Sequence, residues 1–218
     1  RGINHYYATF GVHPAVDRFG LQEINPYVMI DYFTNLKSVL ETRSAQGGLG
    51  FTFEDRSRSN LTYKHLFERL FEPFRVSRSD LVIGVGDYET HEVALSHSTN
   101  PSRVFSGNVS VSHGGYFNGT QTSYGVGGVW RPSPHVAFDL SFTRSEIALR
   151  GEELVADLAR LRLSLNPTTD LVVTAFVQYN SLIDAIVSNV RLRFIHAPLS
   201  DLYLVYSEQR DVRGDLHP

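Results

Sequence analysis

Alternation of apolar and polar residues with a period of two runs through segments that are too long for ordinary soluble strands, and this most constrains the fold. Val136, Phe138, Leu140 and Phe142 alternate with Ala137, Asp139, Ser141 and Thr143. Ala159, Leu161, Leu163 and Leu165 alternate with Arg160, Arg162 and Ser164, and Val190, Leu192 and Phe194 with Arg191 and Arg193. Tyr124, Val126, Gly128 and Trp130 oppose Ser123, Gly125 and Gly127 in the same way. Successive side chains of a strand point to opposite faces, so each segment reads as a strand with one apolar and one polar face. About twelve such segments follow one another, at 2–12, 22–34, 38–54, 58–70, 88–97, 104–116, 122–131, 134–144, 153–166, 169–181, 184–196 and 199–208. Soluble strands usually run to about 5 or 6 residues. A tilted strand crossing a bilayer needs about 9 to 11. The expected fold is therefore all-β: an antiparallel meander closed into a transmembrane β-barrel, filling residues 1–218 as one domain in the bacterial outer membrane.

Composition narrows the alternatives. Hydrophobic residues are 42% of the chain, yet mean hydropathy is −0.17 and no run approaches the roughly 18 apolar residues of a membrane helix. A barrel keeps such a balance because lipid-facing and lumen-facing residues average out. Net charge is −3 with no basic face, so nucleic acid is not an expected partner. Cysteine is absent, which excludes disulfides and thiolate metal sites. The start, Arg1-Gly2-Ile3-Asn4, reads as mid-strand rather than as a signal peptide, and the chain reads as a fragment.

The connections separate into two sets. Arg131-Pro132-Ser133-Pro134, Asn166–Asp170, Ala197–Asp201 and Ser98–Ser102 hold proline, which cannot donate to a ladder, and read as short periplasmic turns. The stretches 71–87, 117–121, 145–152 and 181–184 read as longer or more variable outer loops, although 13–21 and 35–37 fit this division poorly. With that orientation the first segment runs inward and the last outward. At least one more strand is then expected at each end, making a barrel of roughly fourteen or more.

Asp139, Arg160, Arg162, Arg191 and Arg193 are the lumen-facing candidates, since arginine on the lipid face costs about 2–4 kcal/mol at the midplane. They either solvate and brace the wall or form an anion-attracting stripe in a pore. Tyr6, Tyr7, Phe10, Tyr27, Tyr32, Phe33, Tyr116, Phe117, Trp130, Tyr179, Tyr203 and Tyr206 read as interfacial girdles rather than as a sugar-stacking platform. Loop 71–87 exceeds ordinary connections, which makes Phe74, Arg75, Arg78, Asp80 and Asp87 loop candidates, either for binding or as a plug or packed lid. Among nine histidines, His91, His97 and His113 sit on adjacent strands, but they alternate with the apolar face and lack a compact ligand motif. The pairs Glu68/Glu72 and Glu152/Glu153 read as a loop anchor and a solvated loop rather than as catalytic acids. Neither Gly84-Val85-Gly86 nor Gly125–Gly128 makes a nucleotide loop. No catalytic residue, metal or cofactor is expected.

Several segments in combination carry a family resemblance. They are Phe67–Phe74, Phe105–Val111, Gly114–Thr120, Trp130–His135, Val177–Ser181, Asn189–Phe194 and Leu199–Tyr206. In order and spacing this part of the chain resembles the uncharacterised outer-membrane barrel family that follows a family-9-like carbohydrate-binding domain in envelope proteins of Bacteroidetes, Gemmatimonadetes and Acidobacteria. The resemblance implies the final barrel strands of such a protein. Outer-membrane lipid is the implied partner, with carbohydrate or an envelope protein as further partners. The carbohydrate-binding domain is expected but absent from the sequence, and no catalytic residue carries over. Two functions follow as expectations: a transport or export conduit, or a non-conducting anchor or docking barrel for the binding domain.

Overall fold

A computed structural model describes residues 2–76, 81–197 and 200–212. The strands are β1 (Ile3–Gly11), β2 (Ala15–Arg18), β3 (Leu21–Asn35), β4 (Leu40–Phe53), β5 (Arg58–Leu70), β6 (Phe74–Arg75), β7 (Val82–Ile83) and β8 (Gly86–Ser98). They continue as β9 (Phe105–Tyr116), β10 (Gly119–Ser133), β11 (Val136–Leu149), β12 (Glu152–Leu165), β13 (Leu171–Asn180), β14 (Ala185–Ala197) and β15 (Ser200–Asp211). All but β6 and β7 join one 13-stranded antiparallel meander sheet in the order β1-β3-β4-β5-β8-β9-β10-β11-β12-β13-β14-β15, with the short β2 pairing with β3. Every long alternating segment of the sequence is a strand in this sheet.

The sheet is open. Among the described residues β1 pairs with β3 and β15 with β14, and each has a free edge. The expected closure into a barrel is not present, because closure requires those two edges to find partners.

Several connections differ from expectation. Strand β10 runs through Pro132 to Ser133, leaving Pro134-His135 to bridge to β11. The stretch 145–152 is mostly strand. Its only turn is Arg150-Gly151, whose φ angles of 50° and 85° suit a two-residue hairpin. Only Phe117-Asn118 separates β9 from β10. Of the expected outer loops, 71–85 alone is long, while the proline-rich end carries links at 12–20 and 99–104. Connection length therefore does not orient the sheet.

Packing divides the chain into two units, one of Arg1–Asn100, Val109–Tyr124 and Ser145–Val155, the other of Pro101–Asn108, Gly125–Arg144 and Ala156–Pro218. In the first unit, register places Ile30↔Ala45↔His65↔His91, Leu49↔Leu61↔Leu95 and Gly47↔Tyr63↔Val93 on one face. The other face carries Gln46↔Lys64↔Glu92, Gly48↔Thr62 and Gly50↔Asn60↔Ser96. The second unit repeats the pattern, with Leu161↔Val177, Leu163↔Ala175↔Val190 and Val173↔Leu192↔Leu204 on its apolar face. These apolar faces are uncovered: Leu95 is 51% exposed and Leu204 67%. A water-soluble sheet buries such a face against a second layer.

Candidate functional site

The described parts of segment 71–85, residues 71–76 and 81–85, are not open loop. Strands β6 and β7 form a small hairpin with Phe74↔Ile83 and Arg75↔Val82 in register, and the Val76 N–H donates to the Leu81 carbonyl at 2.9 Å. Val76, Leu81 and Ile83 are buried with Ile147 and Leu149, and Leu70, Tyr88, Tyr116, Phe117 and Leu154 pack around them. Ile83 and Leu149 are each 2% exposed. Leu70 shares the face of Leu66 and Lys64, and Tyr88 lies opposite Glu68 on that same face. The hairpin is thus folded over the polar face of its unit, where its apolar side chains find cover that the open sheet lacks. Two further contacts hold it. The Phe74 ring meets Phe117 edge-on at 5.3 Å, and the Tyr88 hydroxyl donates to the Gly84 carbonyl at 2.9 Å.

Of the loop candidates, Phe74 and Arg75 lie in β6, and Arg78 and Asp80 fall outside the described residues. Asp87 belongs to β8 rather than to the loop. There it accepts two hydrogen bonds from Arg69, each at 2.6 Å, on the apolar side beyond Phe67. This forked pair is directional.

The arginine candidates lie on one face. Register through β13 gives Arg160↔Gln178, Arg162↔Phe176↔Asn189, Thr174↔Arg191 and Val172↔Arg193, so all four share one face. Asp139 is on that face too, because its neighbours Phe138 and Leu140 line a hollow with Leu161 on the opposite side. It is not their counterion: among the described residues Asp139, Arg160, Arg162 and Arg191 have no ion-pair partner. Arg193 is paired, with Asp201 at 2.7 Å, and lies 5.9 Å from the Tyr203 ring. The Arg162 guanidinium lies 5.9 Å from the Phe176 ring centre.

Tyr27 was expected in a girdle but stands on the polar face, its ring lying over Gly48 where any Cβ would overlap it. Its hydroxyl accepts from Gln46 Nε2 and Asn60 Nδ2, each at 3.1 Å, and shares a hydrogen bond with Thr62 at 3.2 Å. The sequence signal was there: small Gly48 and Gly50 on β4 stand between Tyr27 and Asn25 on one side and Thr62 and Asn60 on the other. Reading it requires knowing which residues are partners.

On the apolar side His65 stacks on His91 at 4.7 Å, and the Tyr63 hydroxyl bonds to His91 Nδ1 at 2.6 Å. Among the described residues no group of three or more His, Cys, Asp or Glu side chains could hold a metal ion. The second unit's hollow, about 460 Å³, is edged by Phe105, Trp130, Phe142 and Leu161, with Gly127 and Gly128 leaving its floor bare. Trp130 stacks on Phe138 within it, at 5.3 Å and 21°. Comparison with protein-family models, with curated proteins and with solved structures finds no match.

Proposed function

We propose that this sheet is wall of a bacterial outer-membrane β-barrel, acting as a transport or export conduit, with its polar face toward the lumen and hairpin 71–85 folded inward as a constriction. One observation carries the reading: strands of 10 to 15 residues over most of the sheet present an apolar face that no described residue covers. Lipid is the solvent in which such a face needs no second layer, and a closed barrel satisfies the backbone groups that lipid cannot. The charge pattern supports it. Unpaired arginines occupy the polar face, where water solvates them, and the ion pair Arg69–Asp87 marks the end of the apolar stripe on β5 and β8. Closure comes from partners for the free edges of β1 and β15, either each other or further strands.

The hairpin also favours a second reading, a non-conducting anchor or docking barrel for a carbohydrate-binding domain, because it occupies the polar side. The family resemblance is consistent with either. A full-length protein that shifts on unboiled SDS gels and conducts ions in a planar bilayer supports the conduit. A gel shift without conductance supports the anchor. A detergent-independent soluble protein with no shift removes both.

A further inference from the structure

We infer that the arginine face of β12–β14 is a docking platform for small anions carrying a carboxylate or phosphate group. The inference deepens the conduit reading by naming the class of solute its wall would select, and rests on that reading only for the direction the face points. Several strand cations have an acidic neighbour: Lys64 lies opposite Glu92, Arg69 grips Asp87, and Arg193 grips Asp201. Arg160, Arg162 and Arg191 are treated differently. Their in-register partners on β13 are Gln178, Phe176 and Thr174, none of them acidic. Like charges held close on a sheet repel; Asp139 shares their face, yet among the described residues none of the three has an ion-pair partner.

Geometry makes the cluster suitable for a ligand. Adjacent strands lie about 4.7–4.9 Å apart, so β12 and β14 are about 10 Å apart across β13. Arginine side chains from both strands are long enough to reach into that gap. The Arg162 guanidinium carbon lies 5.9 Å from the Phe176 ring centre, a cation–π contact that helps hold this side chain over β13. A planar fork of donors matches the two oxygens of a carboxylate or phosphate. Thr174, in register with Arg191, adds a hydroxyl at the centre of the cluster.

Equilibrium dialysis of the full-length protein folded in uncharged detergent tests this, with inorganic phosphate in one arm, succinate in the second and glucose as the uncharged control. Saturable binding of phosphate, succinate or both is expected, weakening as salt is added, with glucose excluded. The anion that binds shows whether a phosphate or a carboxylate is preferred. Affinity should fall at least tenfold in the Arg162→Gln/Arg191→Gln double variant. It should fall less in Arg162→Lys/Arg191→Lys, which keeps the charge and loses the fork, and not at all in Arg69→Gln on the other face. Unboiled gels establish that each variant is folded. Absence of saturable binding by the folded wild type, or equal binding by the glutamine variant, overturns the inference. Conductance decides separately: a non-conducting barrel that binds phosphate keeps the platform and loses the conduit, and a conducting barrel that binds neither anion does the reverse.

Discussion

Replacing Ile83 with alanine should undock the 71–85 hairpin without unfolding the sheet. Ile83 is 2% exposed and packs with Val76, Leu81, Ile147 and Leu149. The substitution strips Cγ1, Cγ2 and Cδ1 from a site with no solvent access. At about 0.8 kcal/mol per buried carbon, the transfer loss is roughly 2.4 kcal/mol. The cavity left behind adds to it, and measured Ile→Ala costs of about 2–5 kcal/mol bracket a value near 3. Each 1.4 kcal/mol is about a tenfold change in a population, so the undocked state should rise on the order of a hundredfold. Arg75 reports that population. It is exposed, but β6–β7 pairing and the Val76–Leu81 hydrogen bond keep its backbone from entering a protease cleft. With trypsin dilute enough that reclosing outpaces cleavage, the cutting rate after Arg75 follows the open fraction. Mass spectrometry of that cut should show an increase on the order of a hundredfold in Ile83→Ala, with the unboiled gel mobility of the protein retained. An unchanged rate, or immediate cleavage of the wild type, would refute a hairpin held by its buried core.

Three other outcomes test the faces. Leu95 and Ser96 are both exposed neighbours on β8 that point to opposite sides. Leu95→Arg should cost about 2–4 kcal/mol in lipid-refolding titrations and Ser96→Arg little, whereas a sheet bathed in water on both sides would treat them alike. The single tryptophan, Trp130, should be quenched by lipids brominated on their acyl chains and shielded from aqueous iodide, and the opposite result would place its face in water. Gly48→Ala should destabilise by about 1 kcal/mol in urea titrations, because its methyl displaces the end of the Tyr27 ring and with it the hydrogen bonds of the hydroxyl. Adding Tyr27→Ala should then cost less than it does in the wild type, and simple additivity of the two changes would argue against that overlap.

The sequence by itself determined the strands and their faces. A period of two is a local property, set by the pleat, so Val136–Phe142 and Ala159–Leu165 announced both strand and face before any partner was known. Regular alternation also placed Arg160, Arg162, Arg191 and Arg193 on polar faces, and register confirmed that they share one. What alternation cannot carry is pairing across strands or a change in what a face must cover. The apolar positions of β11 are even-numbered from Val136 to Phe142 and become odd at Ile147 and Leu149. That shift broke the pattern and made 145–152 read as a loop. Tertiary structure supplies the reason: there the polar face meets the folded-back hairpin, so apolar residues change sides to bury Ile83 and Val76. Tyr27 shows the same limit. The pleat already sets Tyr27 on the side of Asn25 and Asp31, but the gap at Gly48 and the donors at Gln46 and Asn60 come from two other strands, and only the register that aligns them shows what holds the ring there rather than in a girdle.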